Sequence, residues 1–268
     1  MWLFKYTKKN NSFLLFKSFY HSKFRKTQIF QASSEAKAKA QQLRLFAIVA
    51  WLVAIAGEIL AILKFTTNEM FTWLIVSIVV ILTLAITGNL LWKKAGRLDP
   101  PSQANKVSFF FKSQLGVIMT VIAFLPLVIF IFTDKDMSKK NKGIAGGIAV
   151  VALLIGGITG IDFNPPSIEK YTKEINAQTD SLRELTGTDH VYWTTKAGNK
   201  YHIYKDCQHI KGREISEGTV KQAWESRNIE NGELCKTCQA RATREKSNAI
   251  GNIIPDGIEG KATSDSEE

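Results

Sequence analysis

Cysteine is scarce in this chain. There are three in 268 residues, Cys207, Cys235 and Cys238, all in one C-terminal stretch. An odd and clustered set argues against a paired disulfide framework, because one bridge would leave a spare thiol. Histidine is almost as rare, with four. Acid is nearly missing from residues 1–44, which carry ten Lys/Arg and only Glu35. Those residues also lack an uninterrupted apolar core and a small-residue cleavage site, so no secretory signal is expected there. Between residues 45 and 163 it is charge that is sparse, and no run of polar residues lines the apolar segments. That disfavours a transport pathway and favours a membrane anchor.

Four apolar segments are present, 45–63, 71–92, 115–133 and 143–163. Each approaches the ~20 residues that a spanning helix needs. Helices are expected, because an isolated strand would leave backbone groups unpaired in lipid. With the N-terminus inside, fifteen Lys/Arg fall on the inner side and five on the outer. The counter-signal is the third loop, with Lys135, Lys139, Lys140 and Lys142. The count predicts a protein of the inner (cytoplasmic) membrane with both termini in the cytosol. The basic arm, 1–44, reads as a topology determinant, or as a segment attracted to anionic lipid. Its aromatic residues, among them Trp2, Phe13 and Phe24, suit a stretch lying on the bilayer surface.

Some residues break the apolar pattern. Glu58 either marks a polar path through the membrane or reaches the interface near Lys64. Pro126 predicts a kink, and Asn89 a bond to a neighbouring helix. Gly143/Gly147 and Gly156/Gly160 are small-xxx-small pairs, suited to close packing within the chain or in a homo-oligomer.

Beyond Pro165–Pro166 the character changes. Ile168, Tyr171, Ile175, Leu182 and Leu185 recur at helical spacing, predicting an amphipathic linker helix within 164–189 that Gly187 closes. From Val191 the period becomes two. VYWTT and KYHIY flank the turn-forming KAGN, a hairpin signal. Thr219 and Gln222 form a capping box, predicting a helix over 219–228. Cys235 and Cys238 are expected in a tight turn, with a helix starting at QARATREKS. Residues 248–268 are expected to be a disordered tail. The fold class is therefore an α-helical multi-pass bundle of four helices plus a small α/β zinc-binding C-terminal domain, 190–247.

His202, Cys207, Cys235 and Cys238 supply three thiols and one imidazole, a complete tetrahedral set for Zn2+. His209 is the alternative fourth ligand. A domain this small gains folding energy from a bound metal. A disulfide, a redox Cys-x-x-Cys and unliganded structural cysteines are the competing readings. The redox reading would need a thioredoxin-like strand–helix setting, which the pattern does not offer.

Residues 191–241 resemble the metal-binding domain of the Ada-type DNA-repair proteins, closest to short bacterial variants of the form YHxxxxC, SxGTxxxA, CKxC. The matching residues are Tyr201, His202, Cys207, Ser216, Gly218, Thr219, Ala223, Cys235, Lys236 and Cys238. The resemblance implies a small α/β zinc fold with His202, Cys207, Cys235 and Cys238 as ligands. In those repair proteins the first of four cysteines accepts a methyl group from a DNA phosphotriester. This chain has His202 there, and imidazole lacks a thiolate's nucleophilicity, so that activity is not expected. Residues 162–268 carry 15 basic and 18 acidic side chains, so nucleic acid is not an expected partner.

The sequence thus predicts a multi-pass membrane protein that presents a cytosolic structural zinc module for an unknown protein partner or for scaffolding, and not an enzyme. The alternatives are a sensor or transport-related protein with Glu58 in a polar path, and a zinc-thiolate alkyl-transfer enzyme.

Overall fold

The computed structural model describes residues 29–196, 198–227 and 232–251. The expected surface segment in 1–28 and the tail from residue 252 onward lie outside the described residues. Four long helices come first: α1 (Ser34–Lys64), α2 (Phe71–Leu98), α3 (Lys106–Thr133) and α4 (Lys139–Gly160). Each is long and apolar enough to cross a membrane. Side-chain caps start three of them. Ser33 accepts from the Ala36 amide, Asn105 from Ser108 and Ser138 from Asn141, satisfying donors that have no partner within the helix. The helices outrun the apolar segments. α1 already includes Lys37, Lys39 and Arg44, and α2 and α3 both extend into 93–114. A helix of 28 residues is about 42 Å long, more than the ~30 Å hydrocarbon core of a bilayer.

The core of the bundle is built from Leu74, Ile78, Ile81, Phe124, Leu127 and Ile131, and α1 packs against it mainly through small residues. Ala40, Ala47, Ala54 and Ala61 form a fully buried heptad stripe on α1, while Leu45, Phe46, Leu52 and Leu60 are exposed. That polarity suits lipid, where large apolar side chains can face the solvent and small ones let backbones approach. Gly88 faces the Trp51 indole, and a Cβ there would lie 2.7 Å from Trp51 Cδ1. At Gly160 a Cβ would meet the Val117 backbone nitrogen at 2.6 Å, and at Gly156 Thr120 Cγ2 at 2.7 Å. The Gly156/Gly160 pair is thus used within the chain. Gly143 and Gly147 are not, since a Cβ at either would meet no atom within 4 Å.

Asn89 ties the four helices together. Its Oδ1 accepts from Trp51 Nε1 on α1 (3.3 Å), and its Nδ2 donates to Thr120 Oγ1 on α3 and to the Gly156 carbonyl on α4 (both 3.1 Å). Glu58 packs inside the bundle. It is buried, and Pro126 lies inside α3 one residue before the Leu127 amide that Glu58 accepts from.

After α4 the chain forms α5 (Ile168–Thr186), capped by Ser167 and closed by Gly187 in the left-handed region at φ 77°. A small sheet-containing region follows: β1 (His190–Thr194), β2 (Lys200–Tyr201), β3 (Ile215–Thr219), α6 (Val220–Arg227), β4 (Glu233–Leu234) and α7 (Lys236–Gly251). The expected hairpin is only partly formed. β1 pairs along its length with β3, antiparallel, and touches the KYHIY stretch through a single bridge, Tyr192–His202. β2 instead pairs in parallel with β4. The capping box does form, with Gln222 Oε1 accepting from the Thr219 amide at 2.8 Å and Thr219 Oγ1 from the Gln222 amide at 3.2 Å.

This region sits against the bundle end that carries the α1 start and the α2–α3 loop. Phe30, Ala32 and Ala36 share one buried cluster with Tyr171 and Ile175 of α5 and with Val191, Trp193, Tyr201 and Trp224. Phe30 meets Tyr171 edge-on at 5.1 Å, and Tyr171 meets Trp224 at 5.4 Å. Polar contacts agree. The Gln31 amide donates to Glu225, and the Gln103 amide to Glu169.

Candidate metal centre

The strand register delivers two of the four predicted donors. β2 and β4 align Tyr201 with Leu234, so the next residues, His202 and Cys235, emerge side by side. The Cys235 amide donates to the Tyr201 carbonyl at 2.9 Å, holding this register one step further. α7 begins directly after, at Lys236. Cys238 therefore lies in the first turn of a helix, where the sequence suggested a separate tight turn. Cys207 comes from the loop after β2, wound by bonds from the Ile210 and Lys211 amides to its carbonyl, both 3.0 Å.

One ligand atom from each of His202, Cys207, Cys235 and Cys238 lies within 4.8 Å of every other, and all four residues are buried. The Nδ1 of His202 is 3.7 Å from Cys238 Sγ. Four such donors on a tetrahedron with metal–sulfur bonds of about 2.3 Å would stand about 3.8 Å apart. The cluster has the size, donor chemistry and enclosure of a metal-ion site, which fits a closed structural ion.

The electrostatics have identifiable causes. Burial raises the Cys235 thiol, but amide donation from Cys238 and Thr237 brings it below the ordinary value. Burial pushes Cys238 up to about 12, despite amides of Tyr204 and Ile203 aimed at its sulfur. Burial, then the nearby His209, lowers His202 and keeps it neutral, the form that ligates metal.

His209 stands outside the cluster. Its Nε2 is 3.2 Å from Thr237 Oγ1, and its ring is 6.3 Å from that of His202. It lines a cavity of about 340 Å³ that also touches His202, Cys235 and Lys236. A support the sequence reading missed lies on the other side. Arg241 of α7 stacks over the Tyr204 ring at 3.9 Å and pairs with Asp206 at 3.0 Å. It thereby ties the helix of Cys238 to the loop of Cys207. Only its position, one turn beyond Cys238, hinted at this.

A second missed residue is Gln178 on α5. Its Oε1 accepts from Tyr201 OH (3.1 Å) and Trp224 Nε1 (3.0 Å), and its Nε2 donates to the Gly232 carbonyl (2.6 Å). One linker side chain thus holds both the strand that precedes His202 and the segment that leads to Cys235. Comparison with protein-family models, curated proteins and solved structures returns no match.

Proposed function

We propose that this chain is a multi-pass protein of the inner (cytoplasmic) membrane that carries a structural Zn2+ ion in its C-terminal region, held by His202, Cys207, Cys235 and Cys238. Both termini face the cytosol, as the fifteen-to-five Lys/Arg count favours. The metal region serves as a platform for a cytosolic protein partner or as a scaffold for the membrane part. One observation carries the reading. Four buried donor atoms from separate elements converge within 4.8 Å, and a bound ion would join α7 to β2 and to the loop after it. The Ada-type resemblance supports a small zinc fold without its methyl transfer, since His202 stands at the acceptor position.

The surroundings favour an anchored platform over the two alternatives. Glu58 and Asn89 both spend their polar groups on bonds inside the bundle, which leaves a transport reading without a continuous path. Alkyl transfer would need an open thiolate, and Cys207, Cys235 and Cys238 are all buried. A second copy would pack on Gly143 and Gly147, the small residues not used internally.

The test is metal analysis of the purified full-length chain. One zinc per chain is expected, lost in Cys235→Ser and kept in His209→Ala. A metal-free chain whose C-terminal region stays folded, or loss of zinc in His209→Ala alone, would overturn the ligand assignment.

A further inference from the structure

The bundle end beneath the C-terminal region holds a second cavity, of about 370 Å³, between α1, α2 and α3. Arg44, Trp92, Gly96, Asp99 and Lys112 line it. Arg44 is fixed rather than free. Its Nη1 donates to Asp99 Oδ2 at 2.9 Å and its Nη2 to the Asp99 carbonyl at 2.8 Å. Two of its five N–H donors are so used, which leaves the rest for another acceptor. Lys112 is exposed, and its ammonium has no partner among the described residues. Trp92 Nε1 donates to the Lys112 carbonyl at 2.8 Å, locking α2 to α3 at this level. Gly96 widens the opening, with nothing within 4 Å of where a Cβ would stand.

The depth of this cavity is what selects a ligand. Trp92 ends the apolar segment of α2, and Lys112 precedes that of α3, so the cavity lies at the level of lipid headgroups. Next to Arg44 and Lys112 in the chain, Leu45, Phe46, Phe110 and Phe111 are exposed. Two cations stand against one carboxylate, and that carboxylate is occupied by Arg44. Basic pockets between spans at this depth suit lipid phosphates, which Arg meets with its planar fork and Lys as a point charge.

We propose that this cavity binds a phosphate group, that of an anionic phospholipid in the leaflet beside the C-terminal region. Arg44 and Lys112 meet the phosphate oxygens, and Trp92 forms the wall facing the acyl chains. The occupied site would also brace the platform. The α2–α3 loop next to the cavity holds Glu169 of α5 through the Ser102 hydroxyl and the Gln103 amide. The inference needs the spanning helices but not the metal.

The experiment uses the full chain in phosphatidylcholine nanodiscs with and without phosphatidylglycerol, scoring retained anionic lipid by native mass spectrometry. Lys112→Ala removes a charge-assisted contact to the phosphate and should weaken retention about tenfold. Gly96→Phe fills the cavity without changing charge and should weaken it at least as much. Lys94→Ala, on the same turn but not lining the cavity, should leave it unchanged. Equal loss in Lys94→Ala and Lys112→Ala would mean general attraction to charge and would overturn the proposal, as would full retention in Gly96→Phe. A further arm adds inorganic phosphate. Retention that survives it identifies the lipid as the source, and complete displacement would reassign the cavity to a free phosphate.

Discussion

Glu58 Oε1 accepts the Leu127 amide at 3.1 Å, so an acid on one spanning helix serves the backbone of another where Pro126 breaks it. A proline within a helix removes one donor and disturbs the neighbouring bonds. In lipid no water repairs such a break, so another group of the protein has to. The expensive acid and the expensive proline therefore make sense as a pair. Glu58→Gln preserves an acceptor and should unfold within about 1 kcal/mol of the parent, whereas Glu58→Leu orphans the amide and should cost about 1–3 kcal/mol. Reversible unfolding in mixed micelles measures both. Equal stability of the two variants would separate Glu58 from the break.

The glycines of α4 should divide by the space around them. Gly160→Ala places a methyl 2.6 Å from a backbone nitrogen, which only a helix shift can relieve. Overpacking of this kind costs about 1–3 kcal/mol. Gly143→Ala and Gly147→Ala meet nothing within 4 Å and should be neutral or slightly stabilising in a monomer, since alanine is the better helix former. The same unfolding assay ranks them. A large loss at Gly147 would reveal a neighbour outside the chain.

The four long apolar helices were legible because each is one sustained hydrophobic run, and the His/Cys cluster because its rare residue types stand so close together. β3 was not legible. Ile215–Thr219 reads ISEGT, polar at its centre, and exists because β1 offers it an edge across twenty residues of intervening chain. β4 is two residues long, too short for any period. Asn89 could be read as a polar residue in search of a partner, but not that Trp51, Thr120 and Gly156 would all supply one. Gln178 stands between Ile175 and Leu182 on the apolar face of the amphipathic pattern, so the sequence does mark it as a polar residue at an inward position, but not that Tyr201, Trp224 and Gly232 would be its partners.

Gln178→Ala should therefore act far beyond its size. It leaves Tyr201 OH and Trp224 Nε1 without their shared acceptor, and both side chains are almost fully buried. Each orphaned buried donor costs about 1–3 kcal/mol, so a loss of about 2–6 kcal/mol is expected in the C-terminal region alone. Trp fluorescence should report an early transition, with the helicity of the bundle intact. Gln178→Glu restores an acceptor and should recover most of the loss. A single unchanged transition in the alanine variant would show that α5 holds the region by apolar contact only.

Acid should release the metal and loosen the C-terminal region together. Burial, and then His209, hold His202 below its ordinary value of 6.5. A base depressed in the folded state binds more protons when unfolded, so stability falls as pH drops below that ordinary value and is unaffected above it. Competition between protons and metal at the three thiolates and the imidazole has the same sign. Cys238 shows the scale of the metal's part, because burial, with Cys207 beside it, pushes its thiol up to about 12 and only a cation at the centre makes the thiolate stable near neutrality. Zinc content after equilibration at stepped pH should fall as the solution is made more acid, with Trp193 and Trp224 fluorescence changing in step and the four long helices unaffected. Zinc lost with no change in fluorescence, or fluorescence that shifts while zinc stays bound, would break the link between the ion and the fold of this region.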